Sequence, residues 1–328
     1  MDKWFYNYNN GDTNFDRDAL NALNVIDHQY QIMAYHHLTA GSPKQFLGIN
    51  NKICRFCNQR WPVVKFKKIA HALPRCIGNN VLFSYNECDD CNNKFGRLLE
   101  TQFANFMNLD HTITGIRGKK GYPKYKMENA AITTTGSFID WKEVPPENID
   151  FDQQAGIVRI TQKMPGYIPI AVYKSFVKMA LTLVPEDEMP NFSKTLEWIN
   201  EKSHQGSQFQ FDALSMLQGK VSSTQREAGI SAIVLKRKAQ TDESHPYMMF
   251  RLTYGSFMFQ LPIPLSIKDS VSGFAQFPYI PTMHDLKYGF NKLELARLNL
   301  RSTEVQKTEM TVTITDLDKS GTISYLEE

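Results

Sequence analysis

Cys54-Arg-Phe-Cys57 and Cys88-Asp-Asp-Cys91 frame the stretch that decides how this chain is read. A two-residue gap lets both sulfurs of a pair face one metal ion. Two such knuckles supply four thiolates at tetrahedral geometry. The 30 residues between the pairs are more than a zinc ribbon needs, so the insertion holds structure of its own. Taken alone, the cysteines fit a plain zinc staple about as well as any chemistry. A disulfide framework fits less well, because Met1 to Asn10 is aromatic and polar and does not read as a secretory signal. A reducing cytoplasm is therefore the expected compartment, and there free thiolates are more often metal ligands. Cys76, the fifth cysteine, is expected to be a small buried residue outside the metal site.

The insertion narrows the choice. It runs Phe66-Lys-Lys-Ile-Ala-His71-Ala-Leu-Pro74, then Gly78-Asn-Asn80, then Ser84-Tyr-Asn86-Glu87. The second knuckle continues as Cys91-Asn92-Asn93-Lys94-Phe95-Gly96. A lone histidine is more often a satisfied core residue. Here the histidine has a proline three residues on, a Gly-Asn turn, and a knuckle ending in asparagine. That pattern resembles the HNH endonuclease family, also called the ββα-metal fold, in its four-cysteine zinc-bound form. The resemblance covers about residues 50 to 102.

The family likeness implies a strand ending at the histidine, a second strand, and a helix that starts at the second cysteine pair. It implies His71 as general base and Asn92 as ligand of a catalytic divalent metal, Mg2+ or Mn2+. Asn86 is the best match to the asparagine that fastens the loop holding the base. Cys54, Cys57, Cys88 and Cys91 would hold a structural Zn2+. Many family members carry an acid immediately before the histidine as a second metal ligand, and here that position is Ala70. Glu87 is the first candidate to replace it and Asp89 the second. Charges favoured by a helix N-terminus are the alternative reading of both.

These residue types suit phosphodiester hydrolysis. A neutral imidazole with an intrinsic pKa of about 6.5 can take a water proton at cytoplasmic pH. A hard cation with open positions can grip the phosphate, which a closed four-thiolate site cannot do. Cations flank the motif: Lys65, Lys67 and Lys68 before it, Arg75, Lys94 and Arg97 within and after it. A glycine-rich basic loop follows, Ile116-Arg-Gly-Lys-Lys-Gly-Tyr-Pro-Lys-Tyr-Lys126, with Arg117, Lys119 and Lys120 at its centre. Flexible backbone with cations and tyrosines suits sequence-tolerant phosphate gripping, and DNA is the expected partner.

Outside this region the chain is less informative. With 42% hydrophobic and 22% charged residues in 328, it is of ordinary globular composition. A net charge of +3 confines any nucleic-acid footprint to a local patch. No apolar run is long enough for a membrane helix, so no membrane partner is expected. The predicted class is α+β: a small zinc-bound ββα-metal module with an N-terminal helix, joined to a larger mixed α+β domain. The predicted divisions are 1–45, 46–125 and 126–328. Periodicity predicts helices over Asp16–Leu38, Leu99–Met107 and Ser193–Ser203, and Ile168–Leu183 starts extended and becomes a helix that Pro185 stops. It predicts strands over Ile230–Lys236 and Met310–Ile314, and a hairpin of Tyr247–Thr253 with Ser256–Pro262. Asp316 to Glu327 matches an EF-hand calcium loop, but a strand precedes it where a helix should stand, so it reads as a turn. The sequence expectation is a metal-dependent DNA endonuclease, by analogy a bacterial anti-phage or mobile-element effector whose second domain docks a protein partner or signal ligand. A catalytically silent zinc-bound nucleic-acid-binding module and a protein-interaction adaptor are the alternatives.

Overall fold

Two neighbouring apolar strands, β12 (Met248–Gly255) and β13 (Phe257–Pro262), form the predicted hairpin and the middle of the main sheet. The computed structural model describes residues 27–118, 121–126, 131–134, 139–142, 144–163, 165–221, 227–281, 293–307 and 309–314. Strands and helices are numbered in chain order. Nearly every residue of the hairpin is buried, so both faces of the sheet must be covered. Gly255 makes the turn with φ +55°, a left-handed conformation that favours glycine.

The full sheet has six antiparallel strands in the order β1, β11, β12, β13, β10, β14. Here β1 is Tyr30–Thr39, β10 Ser215–Val221, β11 Glu227–Arg237 and β14 Leu293–Asn299. The edge strand β1 corrects the expected N-terminal helix. Its apolar residues recur at helical spacing, but Tyr30–Thr39 pairs with β11 along its length. Cross-strand hydrogen bonds with residues some 200 positions away outweigh local periodicity here. Residues 1–26, which hold the rest of that predicted helix, lie outside the described residues.

One face of the sheet packs on α4 (Pro169–Leu183), a helix buried on every side. Pro169 opens it at the first turn, and Pro185, which the sequence predicts as its stop, follows its end. Phe176 joins the sheet to the zinc region: its ring lies 4.9 Å from Phe259 and 5.0 Å from Phe103. On the opposite sheet face, Phe274, Phe277 and Ile280 cover Tyr30, Leu217, Leu235 and Met249. Two three-stranded sheets lie outside this core. One is β5 (Tyr125–Lys126), β6 (Ala131–Thr134) and β7 (Ile139–Lys142). The other is β15 (Glu309–Ile314), β9 (Ile157–Lys163) and β8 (Ile149–Asp152), and it contains the predicted terminal strand.

The fourth sheet is the small one that carries the cysteine insertion: β2 (Gln45–Leu47), β4 (Leu82–Ser84) and β3 (Ala70–His71). Helix α1 (Asp89–Phe95) follows, then a π turn at Gly96–Glu100, α2 (Thr101–Phe106) and α3 (Asn108–Ile113). The class is thus α+β, as expected. Residues on both sides of position 125 share one core. Cys54, Leu73, Leu82 and Phe95 belong to one hydrophobic cluster with α4 and with Phe250 and Leu261 of the sheet. Among the described residues no helix is long and apolar enough to cross a membrane. The EF-hand-like Asp316–Glu327 lies outside the described residues.

His111, buried on α3, bonds through Nε2 to the Tyr254 hydroxyl at 2.9 Å. Burial pushes its pKa down to about 3. The folded protein therefore keeps this ring neutral while the unfolded chain protonates it below about 6.5. Between about pH 6.5 and 3, His111 should cost about 1.4 kcal/mol of stability per unit of acidification. Denaturant melts across that window should show a shallower pH slope for His111→Gln than for the parent.

Candidate functional site

The four knuckle cysteines converge. Cys54 and Cys57 come from the loop ahead of β3, Cys88 is the N-cap of α1, and Cys91 lies in its first turn. Their sulfurs all lie within 4.8 Å of one another, and Cys57 and Cys88 Sγ are 3.8 Å apart. A zinc ion with Zn–S bonds of about 2.3 Å sets tetrahedral sulfur edges of about 3.8 Å. The backbone N–H of Cys88 donates to Cys54 Sγ at 3.4 Å and that of Cys91 to Cys88 Sγ at 3.5 Å, which stabilises thiolate character. Four thiols cannot ionise together without a cation: contact with Cys91 pulls Cys54 down to about 5, while burial pushes Cys88 up to about 12. The donor set and spacing fit a structural zinc ion, and the four cysteines can hold one. Among the described residues this is the one convergent group of three or more Cys, His, Asp or Glu ligands. Cys76 stays out of it and packs, half-buried, against the core.

The insertion between the knuckles forms two antiparallel strands followed by a helix. His71 ends β3 opposite Phe83 of β4, and Ala70 pairs with Ser84. Ala70 is fully buried, so the position ahead of His71 faces the core. The ring of His71 is half-buried against Phe83, with centroids 4.7 Å apart.

The loop between β3 and β4 is fastened by Asn79. Its Nδ2 donates to the carbonyls of Leu73 and Leu82 at 2.8 and 2.9 Å, and its Oδ1 accepts from the N–H groups of Val81 and Leu82 at 3.2 and 3.0 Å. One buried amide thus closes the loop that follows His71. Asn86, the residue expected to fasten that loop, instead donates from Nδ2 to Glu186 Oε1 at 3.2 Å. Gly48 lies under it, with room for no Cβ. The Gly78-Asn-Asn80 turn carried the missed signal: an asparagine after a left-handed glycine can bond both arms of a short loop.

Behind His71 stands an ion pair that the sequence did not reveal. Lys178 of α4 is 3% exposed at its side chain; its Nζ lies 2.9 Å from Glu87 Oε2 and 4.0 Å from Glu100 Oε1. The same ammonium donates to the His71 carbonyl at 3.4 Å. Burial alone would strip its proton, but the two carboxylates outweigh that and hold Lys178 above the ordinary lysine range. Glu87 is therefore engaged inside the protein and is not an open metal ligand. Asp89 is engaged too, accepting from the backbone N–H groups of Lys67 and Lys68 at 3.1 and 3.0 Å. Asn92, in the first helical turn, is half-buried, and among the described residues its side-chain amide makes no hydrogen bond.

The first knuckle is tied to the large sheet's helices. Arg55 Nη1 donates to the carbonyls of Leu181 and Thr182 at 2.7 and 2.6 Å, and Nη2 to Glu186 Oε1 at 2.6 Å. It thereby satisfies the last turn of α4, where a cation is also favoured by the helix dipole. Asn200, which follows α5 (Ser193–Ile199), donates to the Phe56 carbonyl at 2.7 Å.

The expected nucleic-acid cations divide into two groups. Lys67, Lys68 and Arg117 are exposed, and Arg75 is half-buried and bonds Asn80 Oδ1 at 3.2 Å. Arg117 lies over the Tyr122 ring, and Gly118 approaches Arg75 and Cys76, so the basic loop borders the β3–β4 turn. Lys94 does not join them: its ammonium is bonded to Asn200 and lies over Phe95. Lys119 and Lys120 lie outside the described residues.

No protein-family model matches the chain, and no curated protein and no solved structure matches it.

Elemental analysis of the purified protein should find one zinc per chain, and Cys88→Ser should lose it. A structural zinc contributes on the order of 10 kcal/mol to folding, so that variant should melt far below the parent. Lys178→Ala strands the Glu87 carboxylate in the core and should cost about 3–5 kcal/mol in a denaturant melt. The double substitution Lys178→Met with Glu87→Gln should regain most of that loss.

Proposed function

We propose that this chain is a metal-dependent endonuclease of the HNH type that hydrolyses DNA phosphodiester bonds with His71 as general base. The observation that carries the reading is the order of parts. A strand ends in His71, its loop is closed by the Asn79 amide, a second strand follows, and a helix starts within the four-cysteine cluster. The thiolate cluster is closed to substrate, so it holds the helix rather than reacting. His71 is half-buried, so the residue keeps some exposure to solvent at the end of its strand.

In this reading His71 takes the proton of the attacking water. Phe83 and the strand pairing hold its ring and backbone, and the Lys178 ammonium anchors its carbonyl. Asn92 is the protein ligand that this chain offers a divalent metal. Ala70 gives no carboxylate, and Glu87 and Asp89 are bonded elsewhere. A bound Mg2+ or Mn2+ would supply Lewis acidity at the phosphate. With one neutral protein ligand, its affinity depends on the substrate's own phosphate oxygens, and the requirement falls in the millimolar range. Lys67, Lys68, Arg75 and Arg117 meet the DNA backbone, and sequence preference is low because phosphate contacts carry no base information. A cytoplasmic anti-phage or mobile-element effector is the setting that such a site joined to a larger domain suits, with a protein or signal ligand acting on the larger part.

The alternative of a silent zinc-bound binding module rests on Ala70. Plasmid incubated with the protein and millimolar magnesium or manganese decides between them. Cleavage should fall by at least about a hundredfold in His71→Ala, the usual contribution of a general base. Equal cleavage by both proteins would overturn the assignment. A gel shift without cleavage under either metal would favour the silent module.

A further inference from the structure

The outer face of the small sheet carries a row of rings. Phe46 of β2, Phe83 of β4 and His71 of β3 stand in register across its three strands. Phe46 is stacked on Phe83, with centroids 5.5 Å apart, and on Tyr85 at 4.9 Å with only 10° between the planes. Phe83 in turn meets His71 at 4.7 Å. Lys44 lies over the Phe83 ring. Phe46 is 40% exposed, and Phe83, Tyr85 and His71 are half-buried. Phe46 is thus the exposed member of an aromatic row that runs to His71, and cover by a flat apolar group would be favourable there.

The charge around it selects the occupant. Residues 28–86 hold eight Lys and Arg and no Asp or Glu, although the whole chain has 37 basic and 34 acidic residues. The basic excess is therefore concentrated on the segment that builds this sheet. Arg60, Lys65, Lys67 and Lys68 are exposed on it, and Trp61 and Val63 stand out between them. A polyanion with flat apolar groups matches such a surface. A duplex hides its base faces inside the stack, whereas a single strand offers them.

We propose that the Phe46–Phe83–Tyr85 face is a stacking platform for unpaired nucleobases, which makes single-stranded nucleic acid the preferred substrate class. This deepens the nuclease reading and rests on it for the adjacency of the bound strand to His71. Bases stack on the exposed rings while the lysines follow the phosphates, and the phosphate beside the platform is presented to the histidine.

Fluorescence anisotropy of the zinc-loaded full chain tests this, with labelled oligo(dT), oligo(rU) and a DNA duplex of equal length at one fixed salt concentration. At least one of the single strands should bind more tightly than the duplex. Phe46→Ala should weaken single-strand binding roughly tenfold and leave duplex binding within about twofold, since stacking is lost and charge is not. Phe46→Trp should retain it. If Phe46→Ala fails to hold zinc or melts early, Phe46→Leu keeps the apolar volume and should still lose the single-strand preference. Duplex binding as tight as that of both single strands, or equal weakening of both by Phe46→Leu, would overturn the platform. His71→Ala separates the two readings, because it should abolish cleavage and keep the single-strand preference. Plasmid cleavage that depends on His71 without any single-strand preference would remove the platform alone. A Phe46-dependent preference with no cleavage would remove the nuclease alone.

Discussion

The Lys178 ammonium is the point on which the separate parts of this protein depend. It sits on a helix buried on every side, where an unpaired charge would cost several kcal/mol. Its partners come from elsewhere in the chain: Glu87 ahead of the second knuckle, Glu100 in the π turn, and the carbonyl of His71. Those three positions are held in one arrangement by the need to satisfy one cation. The same pairing explains why Glu87 has its carboxylate turned inward, and it ties the histidine strand directly to the core of the larger part.

The zinc knuckles are anchored by similar means. Arg55 lies between two cysteines of the first knuckle, and its guanidinium closes the last turn of α4. Asn200 holds the Phe56 carbonyl and is itself held by Lys94. The cysteine cluster therefore supports two things at once, the start of α1 and the seat of α4. A rigid site mounted on a shared core differs from a module hung on a linker.

Two asparagines show how near a sequence reading can come and still miss. Asn79 and Asn86 both lie in the insertion and both end up buried, Asn79 bonded through both amide atoms and Asn86 through Nδ2 alone. The family likeness points to Asn86 as the loop fastener. The structure gives that work to Asn79, because β4 begins at Leu82 and the loop is already closed before Ser84. Asn86 lies beyond the strand, over Gly48, where its amide meets Glu186 a hundred residues on. Strand ends of two and three residues carry too little periodicity to place such a boundary.

The sequence by itself determined the local features. Four cysteines in paired spacing predicted their own convergence, because ligand geometry at a metal is a short-range constraint. The hairpin around Gly255 and the helix from Pro169 to Leu183 were legible because turn chemistry and proline act on neighbouring residues. The acid-free run over residues 28–86 was equally open to reading, though it gains meaning only where the small sheet displays it. Tertiary structure alone decided the rest. It made a strand of Tyr30–Thr39, gave Glu87 and Asp89 to partners within the protein, bonded Lys94 to Asn200, and lined up Phe46, Phe83 and His71. The physical reason is the same in each case. A charge or an edge strand takes the partner that folding brings within reach, and sequence distance says nothing about which partner that will be.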